Sequence, residues 1–147
     1  MDLAKAIVAA GHDLGNHSFS HKRMIFKSPA FVKYEVDETD KAIRQAGYDG
    51  PIYFRAPYAK KLFILPWYLR QSKHLSVTFD VEPESFEATA DGIIKHVNDK
   101  VKNGSIILLH GMYDANQEAR AALPIIIDNL SAAGFDFVTL SELLEEH

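Results

Sequence analysis

Short apolar segments alternate with amphipathic helical segments along this chain of 147 residues, and this alternation constrains the fold more than any other feature. The strongest apolar segment, 105–109, reads Ser-Ile-Ile-Leu-Leu and is typical of a parallel strand covered on both faces. Further strands are predicted at 12–15, 51–54, 75–80 and 135–139. Strands separated by helices in this way predict an α/β fold, either a parallel sheet or a barrel.

Helices are predicted between these strands, where apolar residues recur every three or four positions. Ser28-Pro29 favours a helix start, and Gly47 favours the end of that helix. Ser141 is predicted to cap a short last helix. The other helices are predicted at 2–10, 62–73, 93–103 and 117–133. No repeat or linker interrupts the pattern, so residues 1–147 are predicted to form one domain.

Composition excludes several classes of protein. No apolar run is long enough to cross a bilayer, so no membrane span is predicted. The net charge of −4 provides no basic footprint for nucleic acid, and the absence of cysteine excludes thiolate metal ligands. The first residues lack the long apolar core of a secretory signal, which predicts a cytoplasmic chain as written.

Polar residues follow each predicted strand at its carboxyl end, where α/β folds place their chemistry. His17 follows the first strand, Arg55 and Tyr58 follow the second, and His110 follows the apolar run. The third predicted strand is followed by an acidic segment, 82–86. These residues are therefore expected to share one edge of the sheet. His17 and His21, four positions apart, can direct both imidazoles at one metal ion.

The chain resembles the polysaccharide deacetylases of carbohydrate esterase family four, which remove N-acetyl groups from chitin, peptidoglycan and related glycans. Three motifs carry the resemblance over essentially the whole chain: Gly11-His12-Asp13-Leu14-Gly15-Asn16-His17-Ser18-Phe19-Ser20-His21, Arg55-Ala56-Pro57-Tyr58 and Ile107-Leu108-Leu109-His110. The resemblance implies a distorted, incomplete (β/α) barrel and an N-acetylated glycan as the substrate. It also implies a divalent metal, with zinc expected and cobalt or nickel as alternatives that imidazole ligands suit.

Each motif residue takes a role from the resemblance. His17 and His21 would be the metal ligands, and Ser18 would hold their loop by a hydrogen bond. The backbone N–H of Tyr58 would stabilise the oxyanion, and His110 would protonate the leaving amine. Leu108 would line the pocket for the acetyl methyl, and Arg55 would hold the catalytic carboxylate.

Two departures from the family pattern limit these expectations. The family's Thr-Phe-Asp-Asp-Gly motif, which supplies the third ligand and the general base, has no counterpart, and no Asp-Asp pair occurs in the chain. The expectation is therefore a truncated domain without its amino-terminal strand, with little activity and with self-association through the exposed sheet edge. A family signal peptide would then lie upstream. Ser85 and Phe86 stand where the family has Asp-Trp, so Asp80, Glu82 and Glu84 are alternative partners for His110.

Two other functions remain open. One is a non-catalytic remnant of the family that binds glycan or serves in an assembly, and the other is an amidohydrolase of the same fold that acts on a small molecule. The histidines outside the motifs, His74, His96 and His147, are predicted to be solvated.

Overall fold

The computed structural model describes residues 2–60 and 62–145, and these form two compact units. The first unit comprises the described residues up to Thr78 together with those from Thr139 onward, and the second comprises Phe79–Val138. His147 lies outside the described residues. None of the described helices is long and apolar enough to cross a membrane.

Six α-helices and two short 3-10 turns account for most of the regular structure of the described residues. The helices are α1 (Asp2–Ala9), α2 (Pro29–Gln45), α3 (Ile64–Gln71), α4 (Ala90–Lys100), α5 (Gln117–Ala132) and α6 (Leu140–Glu145). The 3-10 turns span Pro57–Ala59 and Pro83–Ser85. All six helices lie close to the segments that the apolar periodicity predicts.

Helix α2 begins as its sequence predicts. The Ser28 side chain accepts a hydrogen bond from the backbone N–H of Phe31, and Pro29 occupies the first turn. Gly47 follows the end of the helix with φ of 87°, a left-handed conformation that glycine adopts without strain.

The predicted cap of α6 is wrong by two residues. Thr139 caps this helix, because its hydroxyl accepts from the backbone N–H of Glu142 while the Glu142 carboxylate accepts from the backbone N–H of Thr139. This reciprocal pair is a capping box. Ser141 instead donates its backbone N–H to Asp13.

The extended segments of the first unit meet at Phe54, which is fully buried. Phe54 forms parallel bridges to Asn16 on one side and to Ser76 on the other. In the second unit one parallel bridge joins Val81 and Ile107. Among the described residues these pairings are isolated bridges, so the predicted incomplete barrel stays a prediction. The predicted strand at 135–139 forms no bridge in the described part of the chain.

Each unit has its own apolar core. In the first unit, α2 and α3 pack together around Phe54, and the buried members are Met24, Val32, Val36, Phe54, Ala56, Leu65 and Leu69. In the second unit, α4 packs against α5, and the buried members are Val81, Ile93, Val97, Ala119, Ala122, Ile126 and Leu130. The candidate site residues follow the bridged segments directly, so these cores support the loops that carry them.

Candidate functional site

His17 and His21 lie side by side in the first unit, with their Nε2 atoms 3.2 Å apart. Two nitrogens that each lie 2.0–2.1 Å from one tetrahedral zinc ion are separated by about 3.3 Å. The structure therefore brings the two predicted ligands to the spacing that a shared metal ion requires.

The tautomer of His17 is set by its backbone partner. Its Nδ1 lies 2.5 Å from the carbonyl oxygen of Arg55, and a carbonyl can only accept, so Nδ1 carries the hydrogen. Nε2 of His17 consequently presents a lone pair towards His21. Metal-binding histidines show this arrangement, in which one ring N–H donates to a carbonyl and the other nitrogen binds the ion.

The loop that carries both histidines is anchored by two buried polar residues. Asn16 bonds through its backbone to Tyr53 and Arg55, and its side-chain oxygen accepts from the N–H of Ser18. Glu35 of α2 accepts from both the backbone N–H and the hydroxyl of Ser20. Both anchors are 1% exposed, so the loop is fixed from the protein interior.

The predicted hydrogen bond of Ser18 is confirmed, since its hydroxyl accepts from the N–H of His21 at 3.1 Å. Ser18 and His21 have φ values of 66° and 54°, in the left-handed region that non-glycine residues seldom occupy. Tyr58 and Ala59, in the 3-10 turn after Arg55, also have positive φ, at 58° and 52°. Backbone strain of this kind concentrates at functional sites.

An aromatic and cationic layer covers one side of the histidine pair. The ring centroid of Tyr58 lies 5.1 Å from that of His21, and the Arg23 guanidinium lies 5.3 Å from the centre of the Tyr58 ring. Tyr58 is half exposed, so this layer faces solvent. Tyr58 is one of the residues that the sequence predicts for the site, but Arg23 is not, because its only sequence signal is its position two residues after His21.

In the second unit His110 is held by Glu84. The Nδ1 atom of His110 lies 2.8 Å from Oε2 of Glu84, and the same oxygen accepts from the backbone N–H of His110 at 2.8 Å. Asn116 donates to the other carboxylate oxygen and to the carbonyl of His110. Nδ1 therefore donates to a carboxylate, and Nε2 remains as the nitrogen that can exchange a proton.

These contacts resolve the three alternatives for the partner of His110. Glu84 contacts the imidazole from the 3-10 turn Pro83–Ser85, whereas Asp80 accepts from the hydroxyl of Ser105 and the N–H of Ile106. Within the described part of the chain, His110 donates its carboxylate hydrogen bonds to Glu84 and not to Glu82. Leu108, predicted to line an acetyl pocket, is partly buried and donates its N–H to Val81.

The prediction that His74 is solvated is wrong, whereas the prediction for His96 stays untested. The His74 side chain is 9% exposed, and it contacts Asp40 through Nε2 and Ser72 through Nδ1. His96 stacks on the ring of Phe86, with centroids 5.2 Å apart. Asp40 and Phe86 are not sequence neighbours of the histidines that they contact, so the polarity of the neighbouring residues could not reveal these contacts.

The described residues hold no group of three or more His, Asp or Glu side chains that could bind a metal ion. The donor set of the first unit is therefore a pair of imidazoles with one tautomer preset. This pair fits a transition metal such as zinc, which usually has about three protein ligands and so needs a further donor.

Residues 1–65 match the model of the family described as Polysaccharide deacetylase. A bifunctional xylanase/deacetylase of Pseudobutyrivibrio xylanivorans is 31% identical over 144 residues, covering 94% of this chain and 22% of that protein. A peptidoglycan-N-acetylglucosamine deacetylase of Bacillus cereus is 28% identical, covering 97% of this chain and 68% of that protein.

A family 4 acetyl xylan esterase from Clostridium thermocellum, solved with a cobalt ion, has a similar structure. It superposes with a TM-score of 0.87 at 30% identity, covering 98% of this chain and 69% of that one. For three of the curated relatives, the xylanase/deacetylase among them, this chain spans only 22% to 56% of the relative's length.

Proposed function

Because the chain belongs to the polysaccharide deacetylase family, carbohydrate esterase family four, we propose that it is a metal-dependent hydrolase that removes acetyl groups from a polysaccharide. The proposed reaction is hydrolysis of the amide C–N bond of N-acetyl sugars in chitin or peptidoglycan, with O-acetyl esters as the alternative. Residues 1–147 would form one such domain. The observation that carries the proposal is the His17–His21 pair, with Nε2 atoms 3.2 Å apart.

His17 and His21 would hold the metal, with zinc preferred and cobalt or nickel as alternatives. When bound, a divalent metal polarises the acetyl carbonyl and lowers the pKa of water. The Arg55 carbonyl keeps the hydrogen of His17 on Nδ1 and so leaves Nε2 ready for the metal before it arrives. The Arg55 side chain is proposed to hold a catalytic carboxylate.

In the second unit His110 is proposed as the general acid. Its Nδ1–H is fixed on Glu84, so Nε2 is the atom that delivers a proton to the leaving amine. The Glu84 carboxylate holds the ring in one orientation, and its negative charge would favour a positive charge on the ring during the transfer. Leu108 is proposed to contact the acetyl methyl group.

The Tyr58 N–H is proposed to stabilise the oxyanion. Tyr58 and Ala59 both have left-handed backbone conformations. Local strain of this kind accompanies backbone groups that are held in position for function. Self-association through a sheet edge stays a prediction that light scattering can test.

The test combines metal binding with acetate release. A cobalt titration followed by absorption should show binding that His17→Ala and His21→Ala each remove. The 147-residue chain is expected to release little acetate from N-acetylglucosamine oligomers, because it has no Asp-Asp pair to supply a base and a third ligand. The same chain preceded by a segment carrying that motif should become active.

A second candidate, a non-catalytic glycan-binding domain, is favoured by the lack of a three-ligand group among the described residues. Glycan binding without cobalt binding, and without activity in the extended chain, would support this candidate. Ordinary turnover by the 147 residues alone would mean that another carboxylate of this chain acts as the base, and would contradict the proposed mechanism.

A further inference from the structure

We propose that Asp40 and His74 are positioning residues for the histidine loop, acting on it through the side chain of Asn16. The proposal rests on the proposed metal-binding function of that loop. It concerns two residues that belong to none of the motifs in the sequence, and whose contacts link the loop to a distant part of the first unit.

The connection is a continuous chain of hydrogen bonds. Nε2 of His74 lies 2.9 Å from Oδ2 of Asp40, and Oδ1 of Asp40 accepts from Nδ2 of Asn16 at 2.7 Å. Oδ1 of Asn16 then accepts from the N–H of Ser18 at 2.9 Å. Ser18 follows His17 directly, and its hydroxyl accepts from the N–H of His21. The chain therefore ends on the backbone between the two proposed ligands.

The orientation of the Asn16 amide depends on this series of hydrogen bonds. Its NH2 group donates one hydrogen to the carbonyl of Val36 and the other to Asp40, which leaves only the amide oxygen to accept from Ser18. Asn16 is 1% exposed, so a lost partner is not readily replaced by water. Without Asp40, one of the two donor contacts that hold the amide in this orientation is gone.

At the other end of this series of hydrogen bonds, His74 is also fixed in place. Nδ1 of His74 contacts the hydroxyl of Ser72 at 2.8 Å, and that hydroxyl contacts the end of α3 through the carbonyl of Tyr68. Asp40 and His74 line a cavity of about 380 Å³, together with Arg44, Ser72 and Lys73 among others. The carboxylate is thus held between α2 and the end of α3.

Asp37 provides a matched control on the same helix. It forms hydrogen bonds with Lys33 and Tyr68 and therefore also joins α2 to α3, but it does not contact Asn16. Replacing Asp37 should weaken the packing of the two helices without disturbing the histidine loop. A purely structural role for Asp40 predicts the same behaviour for Asp40→Ala and Asp37→Ala.

The experiment measures amide hydrogen exchange at Ser18 in the metal-free protein and cobalt affinity in the same variants. Asp40→Ala should speed exchange at Ser18 and lower cobalt affinity by about 10-fold, since loss of supporting partners typically costs 10–100-fold. Asp37→Ala should lower the melting temperature and change neither quantity. Asp40→Asn should keep most of the protection from exchange at Ser18 and most of the cobalt affinity, because its amide oxygen can still accept a hydrogen bond from Asn16.

The outcomes separate the two proposals. If the wild-type protein binds no cobalt but Asp40→Ala still speeds exchange at Ser18, the positioning role is supported and the metal function fails. If Asp40→Ala and Asp37→Ala have equal effects on Ser18, or if Asp40→Ala leaves Ser18 unchanged, the positioning role is overturned. Should Asp40→Ala not fold, His74→Gln decides in its place, with the same changes expected at smaller size.

Discussion

A single carboxylate oxygen of Glu84 accepts hydrogen bonds from both the Nδ1 atom and the backbone N–H of His110. The two contacts fix the imidazole to its own backbone through one acceptor, so ring rotation would break the side-chain contact. The remaining carboxylate oxygen is engaged by Asn116, which holds the acceptor itself in place.

Glu84→Gln should therefore disturb the tautomer of His110 more than its position. The glutamine oxygen can still accept a hydrogen bond, but it does not stabilise an imidazolium, so nitrogen chemical shifts in NMR spectra should report a less uniform Nδ1–H form. Glu82→Gln is the control.

In an active form, His110→Ala should lower acetate release by about 10²–10⁴ and leave cobalt affinity unchanged. Loss of cobalt binding in His110→Ala would contradict its assignment as an acid.

His17→Ala and His21→Ala should each weaken cobalt binding by more than the roughly 10–100-fold that loss of a supporting partner causes, because each removes a ligand. His96→Ala is a suitable control, since that ring stacks on Phe86 in the second unit. Isothermal titration calorimetry would measure the affinities. Equal affinity in all three variants would place the metal elsewhere.

Glu35→Ala should destabilise the protein by about 1–3 kcal/mol, because the N–H and hydroxyl of Ser20 lose a buried acceptor. Glu38→Ala, on the same helix, removes only a surface ion pair with Lys41 and should cost less than about 1 kcal/mol. Urea unfolding of both variants tests the difference. A similar cost for the two would show that the Glu35 contacts contribute little.

Arg23 should favour substrates that carry carboxylates. Its guanidinium lies over Tyr58 beside the histidine pair, and no ion pair of the described residues involves it. Arg23→Ala should lower affinity for an acetylated oligosaccharide with carboxylates by about 2–5-fold at low salt, as expected for an exposed charge contact. Arg70→Ala is the control. An equal loss for a neutral chitin oligomer would indicate lost stacking instead.

Tyr48 should make the first unit sensitive to alkaline pH. Burial and the hydrogen bond to the Asp13 carboxylate raise the pKa of Tyr48 to about 12 from its ordinary value of 10.0. The protonated phenol is therefore favoured by folding, so this stabilisation is complete below pH 10 and is lost as the pH rises towards 12. Urea unfolding between pH 9 and 12 should show a steeper loss for wild type than for Tyr48→Phe. Parallel curves would assign the loss to other groups.

The sequence predicted the helices and the motif residues because both depend on local pattern. Apolar periodicity placed all six helices, and Ser28-Pro29 gave the start of α2. The spacing of His17 and His21 similarly limited them to one short loop. These features need only neighbouring residues, and the structure changes their bounds by a few positions.

Contacts between distant residues could not be predicted in the same way. Three acidic residues near position 82 were equivalent in sequence, and only the 3-10 turn at Pro83–Ser85 selects Glu84. His74 was expected to be solvated because its neighbours are polar, yet Asp40 reaches it from a helix that ends almost thirty residues earlier. The strand at 135–139 was predicted from apolar residues, but Phe137 and Val138 are about half exposed.

Around the two histidines, several residues have left-handed backbone conformations. At these positions the residue that would be most stable differs from the residue that the proposed chemistry needs. Positive φ angles occur at Ser18, His21, Tyr58 and Ala59. Glycine adopts such angles with less strain than other residues do. A redesign guided by stability alone would place glycine at these positions and thereby delete a proposed ligand and the aromatic ring beside it. Gains in thermal tolerance obtained there should come with the loss of the site.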